Sequence, residues 1–104
     1  MKPPGEKVGQ QYPTDTGPMD ILAIKKDKSE LLVVELKKGR ASDAVVGQTL
    51  RYMGFAAQEL AEPYQKVRGV IIALEDDQRM RRALAMTSLI DFYRYQISFK
   101  LVKG

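Results

Sequence analysis

The stretch ELLVVELKKGR, from Glu30 to Arg40, determines most of what can be predicted about the fold. It opens with a continuous apolar run, Leu31 to Val34, which is typical of a β-strand buried on both faces. Glu35 then interrupts the apolar pattern at a point where an unpaired acid would be costly to bury. Lys37 lies two residues further on, so it projects to the same face of the strand. We therefore predict a central strand, Glu30 to Lys37, that carries an acid and a base close to its end.

The segment before this strand predicts a hairpin partner for it. Residues from Asp20 to Lys26 alternate well enough for a second strand, and Lys26 to Ser29 read as the turn. A hairpin folded at that turn places Asp20 opposite Glu35, with Cβ atoms about 4.5–5.5 Å apart. Two carboxylates this close repel each other unless a cation lies between them. The hairpin therefore predicts a divalent-metal site, with Lys37 placed to activate water and to offset charge on phosphorus.

An ordinary surface pair of strands is the alternative interpretation of these residues. An Asp before a strand and a Glu-x-Lys within one are both common patterns. Two local details favour a functional site. Glu35 breaks a strongly apolar strand, and Gly17-Pro18 predicts a tight backbone just before Asp20.

The composition narrows the chemistry that such a site can perform. The chain has 104 residues, 44% of them hydrophobic and 29% charged, which predicts a single globular domain. It contains neither cysteine nor histidine, so disulfides, thiolate zinc sites, cysteine nucleophiles and histidine-based triads are excluded. Any metal must be held by oxygen, and oxygen ligands favour Mg²⁺ or Mn²⁺ over zinc.

Charge and hydropathy limit the partners. The formal net charge of +4 is compatible with a polyanion such as DNA but does not require one. No apolar run is long enough to span a membrane, and the start MKPPG lacks the apolar core of a signal peptide. We therefore expect a cytoplasmic protein with no membrane segment.

The remaining elements complete an α/β pattern. Residues 1–7 are rich in proline and glycine and predict a flexible lead-in, so the domain is expected to cover residues 8–104. The predicted order is β-β-β-α-β-α-β, which indicates a mixed sheet flanked by helices. Besides the central hairpin, the predicted elements are a strand Val8–Tyr12 ended by Pro13, a turn Thr14–Pro18, a helix Ala44–Ala61 capped by Ser42 or Asp43, a strand Val67–Leu74, a basic helix after Asp77 and a last strand Gln96–Val102.

The first predicted helix has two distinguishable faces. Gln48 and Tyr52 lie four residues apart and share one of them, with Arg51 adjacent. These side chains suit contact with a phosphate backbone or support of a catalytic lysine. An amphipathic helix with a half-exposed tyrosine is the plainer alternative. The predicted buried stripe is Val46, Leu50, Met53, Ala57 and Leu60.

Basic residues form two groups along the sequence. Lys38, Arg40 and Arg51 add positive charge around Lys37, next to the predicted metal site. A second group, Arg79, Arg81 and Arg82, lies on the second helix, and a basic helix face is usually a solvated one.

Taken together, these motifs resemble a known nuclease superfamily. The pattern Gly17-x-x-Asp20, Glu35-x-Lys37, Gln48-x-x-x-Tyr52 is similar to the PD-(D/E)xK superfamily in its RecB-like form. The sequence around these motifs resembles the C-terminal nuclease domain of NucS/EndoMS-type endonucleases, from about Val8 to Val102. The segments that carry this closer likeness are QYPT (residues 11–14), GPMDILA (17–23), VELKKGRA (34–41) and AVVGQTLRY (44–52).

The resemblance implies specific roles. Asp20 and Glu35 would be metal ligands, joined by the backbone carbonyl of Leu36, and Lys37 would be the catalytic lysine. Gln48 and Tyr52 would be supporting residues. The implied fold is restriction-endonuclease-like, and the implied activity is Mg²⁺-dependent cleavage of DNA by an endonuclease module of a repair or restriction system.

One departure from the superfamily pattern leaves alternatives open. The superfamily core normally starts with a helix that often carries another acid, whereas Glu6 is the only acid ahead of Tyr12 here. We therefore expect the first helix to be missing, supplied by an upstream domain, or supplied by a second chain in a homodimer. The alternative function is a catalytically incomplete module that keeps the fold for nucleic-acid binding or dimerisation.

Overall fold

The computed structural model describes residues 7–14 and 17–104, with side chains from Asp20 onward. The predicted lead-in, except Lys7, and part of the predicted turn at Thr14–Pro18 lie outside the described residues. In chain order the elements are β1 (Lys7–Thr14), β2 (Gly17–Ile24), β3 (Glu30–Leu36), α1 (Asp43–Phe55) continued by a π-helical turn (Ala56–Leu60), β4 (Lys66–Ala73), α2 (Gln78–Leu84) and β5 (Ile90–Arg94).

The described strands form one mixed sheet in the order β1-β2-β3-β4-β5. β2 runs antiparallel to both of its neighbours, β1 and β3, whereas β4 and β5 are parallel to β3. Each parallel step is bridged by a helix, as crossover connections require. The predicted α/β architecture and element order are therefore confirmed. β1 and β2 are longer than predicted, because Pro13 lies within β1 and Gly17-Pro18 within β2.

The hydrophobic core lies between one face of the sheet and the two helices. On β3 the buried residues are Leu31, Val33 and Glu35, which alternate along the strand. Of their neighbours on β4, Gly69 and Ile71 are buried and Val67 is partly buried, and Met80 of α2 belongs to the same cluster. Leu32 and Val34 point the other way and are only half-buried. The prediction that β3 is buried on both faces is therefore wrong, since α1 and α2 both pack on the same side.

The buried stripe of α1 differs from the predicted one by about one residue. Leu50 is 42% exposed and Ala57 is exposed, whereas Tyr52 is only 3% exposed. Packing against the sheet decides the orientation, because Thr49 and Met53 lie against Gly69 of β4. The buried residues of α1 and its π-helical continuation are Val45, Val46, Thr49, Tyr52, Met53 and Ala56.

Gly69 on β4 sets how closely α1 approaches the sheet. A Cβ atom at this position would lie 2.8 Å from both Met53 Sδ and Thr49 Cγ2. The Thr49 hydroxyl is occupied inside the helix, where it donates to the Val45 carbonyl at 2.7 Å. Side chains of α1 therefore occupy the space that a side chain at position 69 would take.

The last strand lies earlier than predicted. β5 is Ile90–Arg94, and residues 95–104 belong to no helix or strand. The partner strand β4 ends at Ala73, whose carbonyl accepts the final ladder bond from the Tyr95 amide. The alternating segment predicted at Gln96–Val102 has no strand beside it, and its Phe99 is 89% exposed.

Neither helix in the described part of the chain has the length and apolar character needed to cross a lipid bilayer.

We expect Gly69→Ala to lower the free energy of unfolding by about 1–3 kcal/mol, the usual cost of overpacking a core. The reason is that the added methyl must displace Met53 and Thr49. Chemical denaturation followed by circular dichroism measures the change. The matched control is Gly54→Ala on α1, where an added Cβ meets nothing within 4 Å. This substitution should raise the free energy of unfolding by about 0.5–1 kcal/mol, because alanine favours a helix more than glycine does. Equal changes in the free energy of unfolding for the two substitutions would contradict the close approach of α1 to β4 at Gly69.

Candidate active site

The β2–β3 hairpin brings the predicted acidic residues together. The observed pairs run from Ile24 opposite Leu31 to Ile21 opposite Val34, which is the predicted register. One step further along this register, Asp20 faces Glu35. Asp20 Oδ2 accepts a hydrogen bond from the Leu36 amide at 3.2 Å, so its carboxylate caps the end of β3.

Glu35 is buried, with 1% of its surface exposed. Its Oε1 atom has no hydrogen-bond partner among the described residues. The pKa of the Glu35 carboxyl is raised to about 7, chiefly by burial and next by the negative charge of Asp20, while the Lys37 ammonium acts in the opposite direction. A buried carboxylate with an unsatisfied oxygen is unfavourable without a cationic partner.

Lys37 begins the segment that follows β3. Its amide donates to the Ile72 carbonyl at 2.9 Å, so the parallel pairing of β3 with β4 continues one residue past the strand. Its side chain is half-buried, and its charge favours the ionised form of Glu35. Asp20, Glu35 and Lys37 therefore share one region at the end of the central strand, as the sequence predicts.

The donors in this region are the kind that hard divalent cations prefer. Two carboxylates converge, and Glu35 Oε1 is available because nothing described in the chain bonds to it. The Leu36 amide points towards Asp20, and in an extended strand the carbonyl of the same residue points to the same side. Mg²⁺ commonly takes one or two carboxylates and completes its shell with water and phosphate oxygens. Among the residues the structure describes, no group of three or more acidic side chains forms a metal cluster.

The predicted supporting pair on α1 is joined directly. Gln48 Nε2 donates to the Tyr52 hydroxyl at 3.0 Å. Because Tyr52 is buried, the alternative of a half-exposed tyrosine is wrong. None of the described hydrogen bonds connects this pair with Asp20, Glu35 or Lys37. Its role in the site remains a prediction.

The basic residues around Lys37 have separate environments. Arg40 pairs with Glu75 at 3.4 Å. Arg51 is exposed and lies back along α1 towards Gly47. The side chain of Lys38 is exposed, and its carbonyl accepts a hydrogen bond from Tyr95. The described contacts thus join none of these three cations to the acidic pair.

The second basic group is partly neutralised. Arg81 forms an ion pair with Asp76 at the start of α2, and this contact lowers the pKa of the Asp76 carboxyl. Arg79 and Arg82 are exposed on the same helix, in line with a solvated face.

Sequence reasoning missed Tyr95. It follows β5 and bonds across β4 to the segment after β3. The residue carries no motif, and the incorrect position predicted for the last strand separated it from the sheet.

The fold and the convergence of Asp20, Glu35 and Lys37 define an α/β protein with a restriction-endonuclease-like sheet. The family model of the endonuclease NucS C-terminal domain matches residues 5–96. This chain therefore belongs to the NucS C-terminal domain family.

Solved structures resemble the chain in fold. A repair endonuclease from Pyrococcus abyssi matches with a TM-score of 0.73 and 24% identity over 88% of this chain. An EndoMS complex with double-stranded DNA gives a TM-score of 0.74 and 24% identity over 91% of this chain. EndoMS in its apo form gives a TM-score of 0.60 and 26% identity over 74% of it. The matches cover 38%, 38% and 34% of those longer chains, respectively. Comparison with curated proteins gives no significant match.

We expect Glu35→Gln to stabilise the metal-free protein by about 1–3 kcal/mol above pH 7. The folded-state pKa of Glu35 is raised from 4.5 to about 7. As the pH rises, Glu35 therefore loses its proton at a lower pH in the unfolded chain than in the folded protein. Stability contributed by protonated Glu35 is therefore complete below pH 4.5 and is lost as the pH rises to about 7. Glutamine does not ionise, so its advantage should shrink towards pH 4.5.

Denaturation with urea in the presence of a chelator, at several pH values, measures this difference. Glu59→Gln is the matched control, since Glu59 is exposed. A Glu35→Gln protein no more stable than wild type at pH 8 would show that the buried carboxylate carries no penalty.

Proposed function

We propose that this chain is a metal-dependent DNA endonuclease module that hydrolyses phosphodiester bonds at the end of β3. The observation that carries the proposal is the buried Glu35 carboxylate with its unpartnered Oε1, beside Asp20 and Lys37. A chain that needed only stability would gain by replacing such a group with an apolar one. Membership of the NucS C-terminal domain family supports the same activity.

In this proposal Asp20, Glu35 and the Leu36 carbonyl hold Mg²⁺ or Mn²⁺. The unpartnered Glu35 oxygen is a suitable ligand for such an ion. Because the chain contains neither histidine nor cysteine, its metal ligands must be oxygen atoms, which these two ions prefer. When bound, the ion supplies Lewis-acid polarisation of a phosphate oxygen.

Lys37 has two roles in the proposed reaction. Its ammonium group orients the attacking water close to Glu35, and it stabilises negative charge that develops on the phosphate. Burial, and after it the negative charge of Asp20, raise the pKa of Glu35 to about 7, and a bound cation would offset both by favouring the ionised carboxylate. Gln48 and Tyr52, which are hydrogen-bonded to each other, are supporting residues in this proposal.

DNA is the proposed substrate. One of the similar solved structures is an EndoMS complex with double-stranded DNA, and the chain carries a net charge of +4. Lys38, Arg40 and Arg51 are exposed and are proposed to contact phosphates, which give affinity but no sequence selectivity. The proposed setting is DNA repair, in the cytoplasm.

The second candidate is a nucleic-acid-binding or dimerisation module without catalysis. The observation that favours it is the small number of acidic groups, because no cluster of three is present among the described residues. Salt-sensitive DNA binding without cleavage would support this candidate, since phosphate contacts weaken as salt rises.

We expect the chain to convert supercoiled plasmid to nicked or linear forms in Mg²⁺ and to lose this activity in a chelator. Glu35→Ala and Lys37→Ala should each lower the rate by about 100-fold or more, because the first removes a proposed metal ligand and the second removes the positive charge proposed to act on the reacting phosphate. Gel analysis of plasmid forms over time measures the rates.

Lys26→Ala is the matched control for Lys37→Ala. It removes the same charge from an exposed turn and should cleave at the wild-type rate. Cleavage that persists in the Glu35→Ala/Lys37→Ala double variant would overturn the proposed site.

A further inference from the structure

The segment that follows β3 is held to the end of β4 by backbone hydrogen bonds. Lys37 donates to the Ile72 carbonyl at 2.9 Å, and the Gly39 carbonyl accepts from the Leu74 amide at 3.0 Å. Ala41 then donates to the Glu75 carbonyl at 2.8 Å. These bonds extend the parallel register of β3 and β4 beyond the two strands. The Lys38 carbonyl, between the first two of these bonds, takes part in none of them.

Tyr95 supplies a contact to this carbonyl from just after β5, a strand that is not adjacent to β3. Its amide donates to the Ala73 carbonyl at 3.0 Å, which continues the β4–β5 pairing. Its hydroxyl donates to the Lys38 carbonyl. The side chain therefore crosses the end of β4, where Tyr95 lines an apolar recess together with Leu36, Lys37, Lys38 and Ile72.

We propose that Tyr95 is a positioning residue for Lys37, acting through its hydrogen bond to the Lys38 carbonyl. This inference rests on the proposed function, since it assigns a role in the same reaction. Lys37 is held on one side by the bond from its own amide to Ile72 and on the other by the bond between Tyr95 and the next residue. With the backbone restrained on both sides, the direction of the Lys37 side chain is set towards Glu35.

The hydroxyl is the group that distinguishes this role from simple packing. Tyr95→Phe keeps the aromatic ring over Leu36 and Ile72 but releases the Lys38 carbonyl to water. The ammonium group of Lys37 then samples more orientations, so the rate falls while DNA affinity does not. A residue that only anchors the end of β5 would show its effect in stability instead.

The test compares Tyr95→Phe with Tyr93→Phe, because Tyr93 on β5 is 58% exposed. We expect Tyr95→Phe to lower kcat for plasmid or oligonucleotide cleavage about tenfold, as loss of an orienting partner typically does. The Kd for DNA and the Tm should stay at wild-type values, and Tyr93→Phe should change none of the three. In a Lys37→Ala background, Tyr95→Phe should cause no further loss.

Three results would overturn the proposal. The first is a wild-type kcat for Tyr95→Phe. The second is a loss of kcat in Tyr95→Phe that is matched by an equal loss in Tyr93→Phe or that comes with a lowered Tm. The third is a full tenfold loss caused by Tyr95→Phe in the Lys37→Ala background.

Amide hydrogen exchange separates the failure of this inference from the failure of the proposed function. Tyr95→Phe should speed exchange of the Lys37 amide, which bonds to Ile72, and should leave the Thr49 amide on α1 unchanged. If the wild-type chain does not cleave DNA, the nuclease assignment fails, yet faster exchange at Lys37 would still show that Tyr95 restrains this segment. Unchanged exchange at Lys37 would overturn the restraint itself.

Discussion

The burial of the Glu35 carboxylate at the end of β3 is the constraint on which the rest of the structure depends. Leu31 and Val33 precede it on the same face of the strand and are enclosed by α1 and the sheet. Because side chains alternate along a strand, a register that buries these two residues must also bury Glu35. Packing of the core therefore buries the Glu35 carboxyl, and its raised pKa is the electrostatic consequence.

The strands beside β3 then determine what surrounds the acid. On one side, the antiparallel register with β2 brings Asp20 to the end of β3, where it accepts from the Leu36 amide. On the other side, the parallel register with β4 continues through Lys37. The antiparallel neighbour thus adds a second carboxylate beside Glu35. The continuation of β3, held to the parallel neighbour by its backbone, adds the ammonium group of Lys37.

The close contact between α1 and the sheet encloses the core that precedes Glu35 on β3. Gly69 lets Thr49 and Met53 approach the backbone of β4, and Tyr52 is buried on the same helix. The hydrogen bond from Gln48 to Tyr52 satisfies the phenol. Unpaired polar groups are costly when buried, and the unpartnered oxygen of Glu35 is therefore the observation on which the proposed cation site rests.

The sequence by itself determined the element order, the hairpin register and the convergence of Asp20, Glu35 and Lys37. These follow from local rules: alternation within a strand, turn chemistry at Lys26–Ser29, and a side-chain period of two residues. Tertiary structure alone decided which face of α1 is buried, because Gly69 receives that helix across the chain. It also decided where β5 lies, since the end of β4 at Ala73 limits the pairing and leaves the alternating residues after Tyr95 without a partner. The contact of Tyr95 with Lys38 joins residues 57 positions apart, and no local pattern encodes a contact made across an intervening strand.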